Sequence, residues 1–259
     1  QLMGATMGEA EVYPERELAI NPGQVFGRLE GLECRDPAFG LDAVWIERSQ
    51  HERAQTLGYT VVDSSTVIAT HLNQVLLDHI GELLGHEEVE QLLQKLARIS
   101  PKLGEELVPG AVSINQLLMV LKSLLVEGVP IRDIRSIAEA ISAQAARAKD
   151  TASLTAAVRV ALGRTIFQGI SGSAPSVPVI TLDPLVEQGL LGTLQRNETG
   201  SYLALEPETA ARIGRALVTQ LRAAEQEGHE PVLVYAPSMR PAMRNFVSRL
   251  VPHLPVLSY

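Results

Sequence analysis

The sequence predicts an α+β fold built from several small modules, because its residue pattern changes twice along the chain. Up to about Val62, short runs of β-branched and aromatic residues alternate with turn signals, as in strands. From Asp63 to about Gly163, apolar residues recur with the three-to-four spacing of helices. After Val177, strand and helix patterns alternate again. We therefore predict small mixed β modules, a central helical module and a C-terminal α/β module.

The first stretch reads as a small β module. Its turns are marked by Asn-Pro-Gly at 21–23 and by Asp36, Pro37 and Gly40. The predicted strands are 17–20, 43–46 and 59–62, and a short helix is predicted over 49–57.

A helical region follows. Asp63 and the two serines after it supply N-cap oxygens for a long helix that ends near Gly85. Ser113 and Gln116 have the spacing of a capping box. The apolar face of the first long helix comprises Val67, Ile68, Leu72, Val75, Leu76, Ile80, Leu83 and Leu84; further helices are predicted over 87–99, over 113–126, after Pro130 and over 150–166.

The C-terminal part is predicted as an α/β module behind a linker. Residues 169–177 are rich in Gly, Ser and Pro, which indicates a loop. Strands are predicted at 177–182, 202–205, 231–235 and 254–257, and helices at 183–195, 207–226 and 239–250.

Composition restricts the class of function. Hydrophobic residues make up 46% and charged residues 20% of the 259 residues, which favours a folded protein. The formal net charge of −8 argues against nucleic acid and against adhesion to anionic lipid. Cys34 is the only cysteine, so no internal disulfide can form. The sequence does not start with methionine and stops within a predicted strand, so we expect a fragment of a longer protein.

The sequence contains no assembled catalytic motif. The run 169–173 has the wrong glycine spacing for a nucleophile elbow. His86 begins a zinc-helix-like run, but the position of its second histidine is Glu90. We predict packing roles for His71 and His79, solvation for Glu105 and Glu106, and a half-buried strand position for Cys34. No enzyme activity, metal or cofactor is therefore expected.

Eight runs resemble the FlhA/InvA/LcrD family of type III export-gate proteins, and they cover nearly the whole chain in order. The first of them is most similar to the flagellar branch. The runs are Glu-Leu-Ala-Ile-Asn-Pro-Gly at 17–23, Asp-Pro-Ala-Phe-Gly-Leu at 36–41, Tyr-Thr-Val-Val-Asp at 59–63, Thr-Val-Ile-Ala-Thr-His-Leu at 66–72, Glu-Leu-Leu-Gly at 82–85, Leu-Val-Pro-Gly at 107–110, Val-Pro-Ile-Arg-Asp at 129–133 and Leu-Thr-Ala-Ala-Val-Arg-Val-Ala-Leu-Gly at 154–163.

The resemblance implies a bacterial inner-membrane protein whose cytoplasmic part has four subdomains and forms a nine-membered ring below an export channel. Only the missing N-terminal half would meet the membrane. The implied division is 1–14 with 64–83 for a truncated first subdomain, 15–63 for an inserted β-rich second, 84–163 for a helical third and 164–259 for an α/β fourth.

The resemblance also implies a hydrophobic dimple between the first two subdomains that binds flagellar export chaperones with their substrates. The matching positions are Asp36, Phe39, Val62, Val67 and Thr70, and Leu18, Ile20 and Pro22 are expected to line the same wall. Components of the export ATPase complex are further implied partners. Two alternatives stay open at this point: the equivalent gate of a virulence injectisome, and a small metal-dependent hydrolase that uses His86 and nearby acids.

Overall fold

The described part of the chain divides into two units in this computed structural model. The structure describes residues 1–2, 4–197, 200–252 and 254–259. Unit 1 comprises Gln1–Leu84 and unit 2 comprises Gly85–Tyr259.

Unit 1 is organised around a four-stranded antiparallel sheet. Its strands are β1 (Arg16–Ile20), β2 (Leu32–Arg35), β3 (Asp42–Glu47) and β4 (Thr60–Asp63), in the spatial order β2-β3-β1-β4. Leu18 pairs with Trp45 on one side and with Val62 on the other. The three strands predicted from sequence are confirmed within a residue or two, whereas β2 gave no clear signal because it is short and mostly exposed.

Both faces of this sheet are covered by apolar residues. Leu18 and Trp45 lie in a cluster on one face, and Ala19 and Ile46 lie in a second cluster on the other. Side chains alternate between faces along a strand, so burial on both faces requires a continuous apolar run. The sheet therefore explains why β1 and β3 lack a polar–apolar alternation. The helix α1 (His51–Thr56) packs its buried Ala54 into the second cluster.

The long helix predicted after Asp63 is interrupted. Helix α2 spans Ser64–Asp78, and a separate turn of helix, α3, spans Ile80–Leu83. The Asp63 carboxylate caps α2 by accepting a hydrogen bond from the Thr66 N–H at 2.7 Å. Between the two helices, the backbone of His79 is not helical. The His79 Nδ1 lies 2.9 Å from a carboxylate oxygen of Glu82, and this contact stabilises a local turn where a continuous helix was predicted.

Unit 2 begins with a group of helices. Within it, α6 buries Leu117, Leu121 and Leu124, and α7 buries Ile137 and Ile141. The predicted capping box is confirmed, because Ser113 and Gln116 bond each other's backbone N–H groups. The helices are α4 (His86–Ile99), α5 (Pro101–Glu105), α6 (Ile114–Val126), α7 (Ile134–Ala145), α8 (Thr151–Ala161) and α9 (Gly163–Ser171), and a wider helical turn covers Glu106–Ala111.

The predicted linker at 169–177 begins too early. Helix α9 continues through Gly169 to Ser171, and only the residues after Gly172, which has a φ of +55°, form a loop. The predicted helix over 150–166 is in fact two helices that break at Leu162.

The end of unit 2 is an α/β arrangement, as predicted. Strands β5 (Val179–Thr181), β8 (Val232–Tyr235) and β9 (Val256–Ser258) form a parallel sheet in the order β5-β8-β9. Helices α10 (Pro184–Leu191), α11 (Pro207–Gln226) and α12 (Arg240–Val247) lie between them in sequence. The predicted helix over 183–195 is too long, because Leu194 begins a hairpin of β6 (Leu194–Asn197) and β7 (Gly200–Leu203).

The predicted α+β class is confirmed by these elements. Among the described residues, no one helix has the length and apolar composition for a membrane span; the stretch Pro101–Ala111 meets those criteria only jointly with Ile114–Val126, across a bend of 104°.

Candidate docking site

The turn between β2 and β3 is held in one conformation by Asp36. Its carboxylate Oδ2 accepts a hydrogen bond from the Phe39 N–H at 2.7 Å, and its carbonyl accepts one from the Gly40 N–H at 2.8 Å. The Asp36 N–H in turn donates to the Leu41 carbonyl at 2.7 Å. Gly40 has a φ of +68°, a conformation that glycine adopts without the steric cost of a Cβ. The backbone that carries the aromatic side chain is therefore well determined.

The two key residues of this turn have opposite exposures. Phe39 is 62% exposed, whereas Asp36 is only 4% exposed. A large aromatic side chain on an ordered turn is the type of residue that anchors protein interfaces. That Asp36 takes part in chaperone binding stays a prediction; in this structure its carboxylate is buried and hydrogen-bonded within the turn.

Four other predicted residues come together in one apolar cluster of unit 1. Leu18 and Val67 are buried, and Ile20 and Val62 are partly buried around them. That these four residues take part in chaperone binding stays a prediction, although Leu18 and Val67 are not themselves accessible. These two side chains lie beneath the surface, where they support the partly exposed Ile20 and Val62.

Pro22 and Thr70 occupy more accessible positions. Pro22 is exposed just after β1, and the neighbouring Asn21 N–H donates to the Asp42 carbonyl at 2.9 Å, next to the β2–β3 turn. Thr70 is half-buried on α2, three residues after Val67 and hence on the same side of that helix. These contacts place the 21–23 turn at the same end of the sheet as the turn that carries Phe39.

Sequence reasoning missed two contributors, Tyr13 and Leu41. Tyr13 packs edge-on against Trp45, with ring centroids 5.5 Å apart, in the same cluster as Leu18. Leu41, two residues after Phe39, is also substantially exposed. Residues before 15 gave no strand or helix signal, so the position of Tyr13 could not be predicted. Leu41 could have been inferred, because it follows the same turn residues.

The apolar face predicted for α2 is only partly buried. Val67 is its one buried residue, whereas Ile68, Leu72 and Leu76 form an exposed row spaced by four. At 100° per residue this row points well away from Val67 and Thr70. It is therefore a separate surface from the one that carries the predicted docking residues.

The remaining reactive side chains have ordinary surroundings. The His86 Nε2 lies 2.6 Å from the Asn115 Oδ1. Across the described residues, no group of three or more His, Cys, Asp or Glu side chains is placed to hold a metal ion. Cys34 is half-buried on β2 as predicted, and burial followed by the charge of Asp36 raises the pKa of its thiol, which disfavours the nucleophilic thiolate.

Comparison with known proteins identifies the family. The whole chain, residues 1–259, matches the FHIPEP family. The chain belongs to the FHIPEP family. Within it, the chain is 45% identical over 257 residues to the flagellar biosynthesis protein FlhA of Escherichia coli K12, covering 99% of this chain and 36% of that protein. It is 32% identical to FlhA of Bacillus subtilis, covering 100% of this chain and 38% of that protein. The expected family resemblance is therefore confirmed.

This FHIPEP chain spans a little over a third of the length of those curated relatives. Its fold is similar to those of several solved structures. The structure of nonameric EPEC SctV-C superimposes with a TM-score of 0.76 at 22% identity, over 96% of this chain and 75% of that one. The Chlamydia pneumoniae CdsV and CdsO protein complex gives a TM-score of 0.75 at 25% identity, over 96% and 73%.

Proposed function

We propose that this FHIPEP chain is the docking platform of a flagellar type III protein export gate, and that it binds export chaperones with their substrates. In the full-length protein it would lie on the cytoplasmic side of the bacterial inner membrane. The observation that carries the proposal is the exposed Phe39 on a turn held by Asp36, in a chain similar to FlhA over its full length.

The surface around Phe39 suits non-covalent capture of an amphipathic helix. Such helices bind by laying an apolar face against an apolar surface, with one or two aromatic side chains contributing most of the energy. Here Phe39 and Leu41 are exposed, and Ile20 and Val62 are partly buried in the cluster of unit 1. No bond is made or broken in this binding, so the energy for transport must come from other components.

Buried and exposed residues have different roles in the proposed site. Phe39, Ile20, Val62, Thr70 and Pro22 would contact the chaperone directly. Leu18 and Val67, which are buried, would support the residues of that surface through packing. Asp36 would orient Phe39 by accepting a hydrogen bond from the Phe39 N–H.

We further propose that the complete protein self-associates into a ring and meets components of the export ATPase complex. The support is by similarity of fold: one relative is described as nonameric and another as a complex with CdsO. The flagellar assignment is favoured over an injectisome by sequence, since FlhA relatives reach 45% identity and the SctV and InvA structures 21–22%.

Calorimetric titration of this chain with a flagellar chaperone–substrate complex tests the proposal. We expect saturable binding that Phe39→Ala weakens about 30-fold, which corresponds to the roughly 2 kcal/mol of a hot-spot aromatic residue. The free energy of unfolding should change by less than about 0.5 kcal/mol, because Phe39 is mostly exposed.

Phe26→Ala is the matched control. Phe26 belongs to the same unit and is even more exposed, at 84%, but it lies outside the predicted docking residues. Binding should therefore equal that of the unmodified chain. Equal affinities for the Phe39 and Phe26 variants would overturn the site, and absence of binding by the unmodified chain would overturn the function.

A further inference from the structure

A second site, independent of the proposed function, is suggested by a cavity in unit 2 whose lining includes none of the proposed docking residues. The cavity has a volume of about 260 Å³. Glu127, at the C-terminal end of α6, Arg159 of α8 and Arg244 of α12 contribute its charged groups. Helix α9 and the start of β9 complete its walls.

The charges around this cavity do not balance. The Glu127 carboxylate accepts hydrogen bonds from both terminal nitrogens of Arg240, at 2.6 and 3.1 Å. It also lies 2.9 Å from the Arg159 Nη1. Arg244 lies close enough to lower the pKa of Arg159. Three guanidinium groups therefore share one carboxylate among the described residues of this cluster, which leaves an excess of positive charge.

Arg159 is the most constrained of the three arginines. Its side chain is 9% exposed. The Arg159 Nη1 is 2.9 Å from the Glu127 Oε2, but the angle does not suit a hydrogen bond. The Arg159 Nη2 donates one long hydrogen bond, to the Val256 carbonyl at 3.4 Å. Desolvation by burial is the main cause that lowers the pKa of Arg159 to about 10, so the group is still charged at neutral pH. A buried cation with unused N–H groups is costly unless an acceptor completes its shell.

Arg244 also lines the cavity. Its Nη1 donates to the carbonyls of Pro252 and Leu254, both at 3.1 Å. These bonds fix the guanidinium beside the cavity that it lines. The planar fork of an arginine matches the two oxygens of a carboxylate.

The cavity walls are mainly apolar. Ile166 and Ile170, one turn apart on α9, face it together with Val129 and Leu257. A phosphate dianion would meet these apolar walls and the nearby Glu127 carboxylate, both of which are unfavourable for it. A monovalent anion with an aliphatic tail satisfies both the arginines and the walls.

We propose that this cavity of unit 2 binds a carboxylate carried on a short apolar stem, with Arg159 and Arg244 on the carboxylate and the α9 isoleucines on the stem. The probes are acetate, butyrate and hexanoate, each titrated calorimetrically into the whole chain, with inorganic phosphate as a separate arm. Affinity should rise from acetate to hexanoate by up to about fourfold for each methylene buried.

Helix α9 offers a matched pair of variants that leave the charges intact. Gly169 lines the cavity, and a Cβ at this position meets nothing within 4 Å, so the side chain of Gly169→Leu starts in open space at the cavity wall. Gly163, on the same helix, is equally open but does not line the cavity. We expect Gly169→Leu to weaken hexanoate binding at least about tenfold and Gly163→Leu to leave it unchanged. Neither variant should lower the melting temperature, because leucine favours the helix more than glycine does.

Arg244→Gln tests the charge directly. It should weaken hexanoate binding at least about tenfold, because one of the two arginine forks is lost. Three outcomes would overturn the proposal: no heat with any carboxylate, phosphate binding tighter than hexanoate, or unchanged hexanoate binding in Gly169→Leu.

Discussion

At the scale of single residues, two neighbours in the candidate docking site, Asp36 and Phe39, differ in burial and in role. Asp36 is buried and makes the hydrogen bonds that define a turn, whereas Phe39 three residues later is exposed and carries the apolar contact surface. An exposed aromatic side chain on a loose loop would lose conformational entropy on binding. A turn fixed by a buried carboxylate avoids much of that cost.

Replacing Asp36 separates a positioning role from direct contact with a partner. Asp36→Ala removes the acceptor of the Phe39 N–H, so we expect a loss of about 1–3 kcal/mol in the free energy of unfolding and weaker chaperone binding. Asp36→Asn keeps an acceptor oxygen without the charge, so binding should stay within about threefold of the unmodified chain.

Urea unfolding and calorimetric titration of both variants check this prediction. If the carboxylate contacts the chaperone through its charge, the asparagine variant will bind as poorly as the alanine variant. That result would assign Asp36 a direct charged contact with the chaperone.

The residues that flank Phe39 indicated a turn, whereas no residue pattern indicated the burial of its neighbours. Pro37 and Gly40 flank Phe39 and mark a turn, and turns are usually at the surface. The burial of Asp36 was not predictable, because a lone aspartate in a turn is usually solvated and only the fold supplies the surrounding atoms. The structure buries Leu18 and Val67 in one cluster, which the sequence did not show, because periodicity gives the face of an element and not how far that face is covered.

At the scale of elements, an aspartate caps four helices within the described residues, namely α2, α7, α8 and α10. Asp63, Asp133 and Asp150 accept hydrogen bonds from the N–H groups of Thr66, Ser136 and Ser153, at 2.7, 3.1 and 3.0 Å. For Asp63 the backbone N–H of Thr66 is the main cause of its lowered pKa; for Asp133 and Asp150 the hydroxyls of Ser136 and Ser153 come first, followed by their N–H groups.

These caps predict an acid-sensitive contribution to stability. A carboxylate whose pKa is lower in the folded state than the value of 3.8 expected without the cap stabilises the fold fully above pH 3.8. The stabilisation is then lost progressively as the pH falls from 3.8 through the folded-state pKa. We expect the urea midpoint, followed by circular dichroism, to fall over this window.

Asparagine at the three positions provides the control. It caps helices about as well as aspartate but does not titrate. The triple variant Asp63→Asn, Asp133→Asn and Asp150→Asn should therefore show a flatter decline of the urea midpoint below pH 3.8. A decline as steep as that of the unmodified chain would assign the acid sensitivity to other carboxyl groups.

Elements with strong local signals were predicted well, and those set by packing were not. Helix α11 was predicted within its observed bounds, Pro207–Gln226, because proline stands at its start and a long amphipathic pattern follows. The breaks at His79 and Leu162 were missed, since the apolar spacing continues across both. The exposed row of Ile68, Leu72 and Leu76 was assigned to the apolar face of one long helix, because residue spacing does not show whether such a face is covered.

At the scale of the whole molecule, unit 2 is joined by ion pairs between residues far apart in sequence. Glu127 and Arg240 are separated by 113 positions, and Arg159 lies between them in sequence. Glu127 stands at the end of α6, where the helix dipole disfavours a negative charge, so the two arginines must offset that cost. No sequence pattern at such a separation predicts this pairing, because it requires that the helical and α/β parts be brought together first.

Removal of Glu127 therefore has a larger expected effect than removal of an exposed partner. Glu127→Ala leaves Arg159 and Arg240 buried without their counterion, and we expect a loss of about 3 kcal/mol in the free energy of unfolding. The control is Glu139→Ala, which breaks the exposed pair with Arg135 at 2.9 Å on one turn of α7 and should cost about 0.5 kcal/mol or less. Urea unfolding followed by circular dichroism compares the two. Similar small losses in both variants would mean that hydration, and not Glu127, satisfies the two arginines, and that the α6, α8 and α12 helices of unit 2 are held together by apolar packing alone.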